Sequence, residues 1–137
     1  MSEPKARRAP KIGTYVDSQP FWDGAREGKL VLQFCRDSGR FQHYPRPVSI
    51  YTGSRNLEWR AVKGTGEVFA CTIARVAPPD FAPLVPYAVA TVQLDEGVRI
   101  IARVIDVPPE QVRIGMRVRV AFEQLADQHY PVFVPAE

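Results

Sequence analysis

The stretch Tyr87-Ala88-Val89-Ala90-Thr91-Val92-Gln93-Leu94-Asp95-Glu96-Gly97-Val98-Arg99-Ile100-Ile101-Ala102-Arg103-Val104 decides the fold. Its first eight residues are apolar and β-branched, and Asp95-Glu96-Gly97 has the chemistry of a hairpin turn. Val98–Val107 then answers as the partner strand. Upstream, Glu58–Lys63 runs through the tight connection Gly64-Thr65-Gly66 into the β-prone run Glu67–Val76. Ala77–Pro86 holds four prolines and reads as a loop. Downstream, Pro108–Val112 suits a single helical turn, Arg117–Glu123 alternates as a half-buried strand, and Tyr130–Pro135 is a last strand. Five strong strands after residue 57, at this spacing, predict a small closed barrel, and an OB-fold suits that size.

The N-terminal half reads differently. Ser18 suits an N-cap, Pro20 a first helical turn and Gly28 a stop. A short helix over 19–27 is predicted, with Phe21, Trp22 and Ala25 on its apolar side. Lys29–Cys35 is strand-like. Residues 36–56 are crowded with turn pairs such as Ser38-Gly39, Tyr44-Pro45 and Thr52-Gly53. The expected organisation is a mobile basic arm at 1–17, a helix plus knuckle at 18–56, and an OB-fold domain at 57–137.

Charge follows this division. The net charge is +3, and residues 1–11 supply all of it through Lys5, Arg7, Arg8 and Lys11 against Glu3. The body is neutral, which argues against a nucleic-acid partner, since such proteins concentrate basic charge on one face. With two cysteines and no disulfide framework, no apolar leader and no run long enough to span a bilayer, a soluble cytoplasmic protein without a membrane partner is expected.

The knuckle carries the most information. Each half has a zinc-ribbon layout, in which four cysteines converge tetrahedrally on the metal. The four positions here hold Cys35, Ser38, Ser49 and Thr52. One thiol remains, and neutral hydroxyls do not replace thiolates for zinc. No metal is expected; Phe41, Tyr44, Val48, Ile50 and Tyr51, with hydroxyl-to-backbone bonds from Ser38, Ser49 and Thr52, are expected to hold the knuckle instead. Cys35 and Cys71 read as buried small residues, and His43 as a surface or hydrogen-bonding residue.

Across residues 20–135 the chain resembles the acyl-CoA-associated OB-fold family with an N-terminal rubredoxin-like zinc ribbon. The resemblance rests on Phe21-Trp22, Ala25 to Leu30, Cys35 with Gly39, Pro45-Arg46-Pro47, Gly53-Ser54, Leu57-Glu58-Trp59, Gly64-Thr65-Gly66, Pro86-Tyr87, Leu94 to Gly97 and Ile114-Gly115-Met116. It departs from the family at the zinc ligands. The resemblance implies a non-catalytic accessory subunit that associates with a thiolase-superfamily or HMG-CoA-synthase-like enzyme in acyl-CoA, fatty-acid or steroid metabolism, with an acyl-CoA as ligand. A homo-oligomer is compatible with it.

Candidate CoA or acyl contacts are the rings of Phe21, Trp22, Trp59 and Tyr87, suited to adenine or an acyl chain, and the guanidiniums of Arg36, Arg46 and Arg60, suited to phosphate. No catalytic residue and no cofactor is expected: two histidines stand without a nucleophile motif or a cofactor fingerprint. Two other readings stay open, a single-stranded nucleic-acid-binding OB module and a purely structural subunit.

Overall fold

The computed structural model describes residues 18–125 and 127–136; the expected arm at 1–17 lies outside them. Helix α1 spans Gln19–Arg26, with Ser18 at its N-cap position but without a side-chain capping bond, and with Pro20 in the first turn. Phe21, Gly24 and Ala25 form its buried face, and Trp22 is left half-exposed. A Cβ on Gly24 would meet Val31 Cγ2 at 2.6 Å, so the absence of a side chain is what lets α1 lie close on the following strand.

That strand, β1 (Leu30–Cys35), is central in a three-stranded antiparallel sheet between β2 (Arg40–Gln42) and β3 (Leu57–Val62). β3 pairs with β1 along its whole length, from Leu57 opposite Cys35 to Val62 opposite Leu30. The segment that sequence analysis placed at the head of the barrel half therefore completes the ribbon sheet.

The five barrel strands are β4 (Thr65–Ala74), β5 (Tyr87–Leu94), β6 (Arg99–Val104), β7 (Arg117–Leu125) and β8 (Gln128–Pro135), closed in the order β4-β5-β6-β8-β7. β5 alternates strictly: Ala88, Ala90, Val92 and Leu94 are buried, and the residues between them are half-buried. Three consecutive residues of β8, Val132, Phe133 and Val134, are buried, because the barrel lies on one side of that strand and α1 on the other. Gly66 is required where it stands, since a Cβ there would collide with the Gln93 carbonyl of β5. Leu30 and Leu32 of the ribbon, Phe21 of α1 and the barrel interior around Phe133 form one continuous core.

Cys71 corrects an expectation. It is exposed, not buried. The register of β4 against β5 slips between Val68 and Ala70, and β4 pairs with β7 only through Thr65–Glu67 among the described residues. Beyond Val68 the strand is therefore an edge on its β7 side, and Cys71, although opposite buried Ala90, is left uncovered there. No described helix is long and apolar enough to cross a membrane.

Candidate functional site

The knuckle keeps the frame of a metal site. Gly39 donates its amide to Cys35 O at 2.8 Å and Gly53 donates to Ser49 O at 2.9 Å, so the two halves have the same turn. Both glycines have positive φ, 69° and 76°. Cys35 Sγ accepts from the Ser38 amide at 3.4 Å. In the other half Ser49 Oγ accepts from the amides of Tyr51 and Thr52 at 3.1 and 3.3 Å. Thr52 Oγ1 accepts from the Ser54 amide and lies 4.0 Å from Cys35 Sγ. Ser49 and Thr52 thus act as expected, but Ser38 does not: its Oγ is buried beside the sulfur without a hydrogen-bond partner. The hydroxyls of Ser38 and then Ser49 outweigh desolvation and bring the Cys35 thiol from 9.0 down to about 7. Ionised, the sulfur would give Ser38 the acceptor it lacks.

Aromatic packing is a smaller part of what holds the knuckle than the sequence implied. Phe41 packs on Phe34 at 5.0 Å, and Tyr51 donates its hydroxyl to Phe41 O at 2.6 Å, but Tyr44, Val48 and Ile50 are exposed. The main fastening is a pair of buried glutamines. Gln42 Nε2 donates to Gln33 Oε1 and to Val48 O, and Gln42 Oε1 accepts from the Ile50 amide. Gln33 clasps Arg46 from both sides, accepting from its amide and donating to its carbonyl, each at 2.9 Å. Asp37 ties the two turns together by accepting from Ser54 Oγ at 2.6 Å and Asn56 Nδ2 at 2.8 Å. A glutamine inside an apolar strand is a weak sequence signal for such a role, because the same residue on an exposed face looks identical.

The seven candidate ligand contacts do not gather into one site. Phe21 is buried under Trp22, edge-on at 5.0 Å, and Trp59 is half-buried against the core. Arg36 and Arg60 converge on Glu58. Burial opposes ionisation of Glu58, but the two guanidiniums hold its carboxyl below the usual range. Arg60 also lies 3.6 Å over the Phe34 ring. Arg46 is held through its main chain as described. Trp22 and Tyr87 share a groove of about 300 Å³ between α1, the proline-rich loop and strands β5, β6 and β8. Phe81 and Tyr130 complete its walls: Trp22 lies 6.1 Å from Tyr130, and Phe81 lies 6.4 Å from both Tyr87 and Tyr130. At one side Arg103, with its side chain only 11% exposed, donates to Glu123 Oε1 at 2.8 Å and approaches the Phe81 and Tyr87 rings. Sequence reasoning passed over Phe81, Arg103 and Tyr130, since nothing in the sequence says that the loop at 76–86 folds back across β8.

A second cavity, of about 450 Å³, lies where the ribbon meets β5 and β6. Ile101, 57% exposed, lines both. His43 borders the larger one. It is packed on Phe21 and Tyr44, its Nδ1 has no hydrogen-bond partner, and burial lowers its pKa to about 4. It is a packing residue, not the hydrogen-bonding one expected.

Residues 22–49 match the rubredoxin-like zinc ribbon domain of ChsH2, and residues 59–123 match the ChsH2 C-terminal OB-fold domain. A DUF35 domain-containing scaffold protein of Pyrococcus furiosus is 33% identical over 116 residues, 85% of each chain. The chain belongs to the DUF35 (ChsH2) family. A probable enoyl-CoA hydratase alpha subunit of Thermomonospora curvata is 33% identical over 135 residues; these are 98% of this chain but 42% of that subunit, so the chain spans about two fifths of it. A solved chain of an Ltp2-ChsH2(DUF35) aldolase superposes with a TM-score of 0.84 at 29% identity, covering 93% of this chain and all of that one. The family's ribbon is a zinc ribbon, and the donor set of this DUF35 chain does not fit that metal. One thiol faces three hydroxyls, two of which already accept backbone N–H bonds, and no three His, Cys, Asp or Glu side chains gather among the described residues.

Proposed function

We propose that this chain is a non-catalytic accessory subunit that binds a thiolase-superfamily enzyme and helps hold its acyl-CoA substrate. The observation that carries the reading is the likeness to a chain of an Ltp2-ChsH2(DUF35) aldolase, which is matched over its entire length. That likeness favours a separate small chain working beside a larger enzyme. The relatives agree with it in two respects: the enoyl-CoA hydratase subunit supports an acyl-CoA setting, and the scaffold protein supports a non-catalytic role. Local chemistry agrees. Cys35 is buried, and His43 sits among rings with its pKa depressed to about 4, so neither forms a nucleophile–base pair with an orienting third group. Trp22 and Tyr87, the two candidate rings that share a groove, are the residues assigned to the acyl group.

Co-expression with thiolase-superfamily enzymes encoded beside it, followed by size-exclusion chromatography, tests this. A stable mixed complex is expected, with turnover confined to the enzyme chain or the complex. Turnover of acyl-CoA by the isolated chain, or failure to associate with any of those enzymes, would overturn the reading.

A further inference from the structure

We infer that the groove between α1 and the barrel takes a neutral, carbonyl-bearing apolar group, such as the acyl part of a thioester or a ring ketone, with Arg103 as the hydrogen-bond donor to its carbonyl oxygen. The inference deepens the ligand side of the function proposed above and rests on that reading for its biological ligand.

Three features of the groove select this class. Its walls are rings contributed by four different elements, Trp22 from α1, Phe81 from the loop, Tyr87 from β5 and Tyr130 from β8, and they leave about 300 Å³ between them. Such walls favour a flat or extended apolar body. Arg103 is set into the same groove with its side chain 11% exposed, yet among the described residues only Glu123 takes a hydrogen bond from it. A guanidinium carries five N–H donors, and those of Arg103 that Glu123 does not take are at the groove surface, where they can donate to an oxygen acceptor. The charge balance then decides which acceptor. Glu123 offsets Arg103, and Asp80 and Asp127 add negative charge felt at Tyr130. A carboxylate entering the groove would be repelled by the negative charges of Glu123, Asp80 and Asp127, whereas a ketone or thioester carbonyl accepts the same hydrogen bond without that repulsion.

The test uses three probes of matched size on the isolated, full chain: 2-acetonaphthone, 2-naphthoate and 2-ethylnaphthalene. Binding is followed in ¹H–¹⁵N correlation spectra through the Trp22 indole N–H and the Arg103 Nε–H. The ketone is expected to bind at least about tenfold more tightly than the hydrocarbon, as a hydrogen bond from a charged donor allows. It should shift the Arg103 resonance, while the hydrocarbon shifts only that of Trp22. The carboxylate should gain no advantage over the hydrocarbon. Replacing the ion pair as a unit, Arg103→Met with Glu123→Gln, should abolish the preference for the ketone. If that double variant does not fold, the Arg103 shift in the native chain still decides the matter. Equal affinities for ketone and hydrocarbon, a preference for the carboxylate, or no response of Trp22 and Arg103 to any probe would each overturn the inference. Association with an enzyme is not read in this experiment, so loss of the partner reading and loss of the groove reading are separately visible.

Discussion

Gln42 Nε2 donates to Gln33 Oε1 at 2.7 Å across the β1–β2 ladder, and both side chains are buried, at 1% and 5% exposure. From this one contact the network reaches the backbone at Arg46, Val48 and Ile50, and so fixes the returning half of the knuckle against the strand that begins it. In a zinc ribbon the metal joins the two halves; here buried amides do so, with Asp37 as a second tie near the surface.

Gln42→Leu should therefore be costly out of proportion to its size. It strands the Ile50 amide and the Val48 carbonyl and takes one partner from Gln33. Leaving buried polar groups unpaired in a connected network predicts a loss of about 2–4 kcal/mol. For a chain of this length that lowers the melting temperature by roughly 6–12 °C. A melting curve within a degree or two of the parent would show that the glutamines are passengers.

Much of the barrel is legible in the sequence because its signals are local. The alternation in Tyr87–Leu94 and the Asp95-Glu96-Gly97 turn specify a hairpin whatever surrounds it. The partner of Leu57–Val62 is not legible in this way: its half-buried pattern suits a barrel edge or a ribbon edge equally, and the choice depends on Gly64, which turns the chain at φ 73° between the two sheets. Cys71 misleads because it stands opposite buried Ala90, as a core residue would, but on a part of β4 that has left β7, so nothing covers it. Of the candidate site, Trp22 and Tyr87 were recognisable as rings in search of a role, whereas Arg103 acquires its meaning only from Glu123, 20 residues away, and from a loop folded across β8.

The knuckle geometry makes a constructive prediction. Ser49 Oγ already receives the two amides that a thiolate at that place would accept, and both turn glycines are kept. Ser38→Cys, Ser49→Cys and Thr52→Cys together should bind one zinc per chain and raise the melting temperature, with a chelator reversing the gain. The parent, carefully prepared, should contain far less than one zinc per chain by atomic emission. Stoichiometric metal in the parent would contradict the donor-set argument, and a triple variant that stays metal-free would show that the frame has collapsed.

His43 gives the fold an acid-sensitive point. Burial lowers its pKa from 6.5 to about 4, so between these values the unfolded chain takes up a proton that the folded chain refuses. Stability is therefore complete above about pH 6.5 and declines as the pH falls toward 4, by up to about 3 kcal/mol. Urea denaturation at intervals from pH 7 to 4.5 should show this decline, and His43→Phe should flatten it. An unchanged slope in the variant would move the effect to other groups. The carboxyls of Asp37, Glu58 and Asp95, all held below their usual range, lose their contribution from the acid end of this window downward.

The two thiols should behave oppositely in rate and in acidity. Cys71 is exposed, whereas Cys35 is fully buried and drawn to about 7, first by the Ser38 hydroxyl and then by that of Ser49. A low pKa gives a thiol reactivity only where a reagent can reach it. At pH 7.5, then, a disulfide reagent should modify one thiol of the native chain quickly and the second only on unfolding. In a Cys71→Ser background the thiolate absorbance near 240 nm should titrate around pH 7, and Ser38→Ala should move that midpoint toward 9. Because the folded pKa lies below the unfolded value, the native chain releases this proton first. The resulting stabilisation is present above pH 9 and is lost as the pH falls through 7. Equal labelling rates would mean that the knuckle opens readily. A midpoint near 9 would mean that the hydroxyls which stand at the old ligand positions do not act on the sulfur at all.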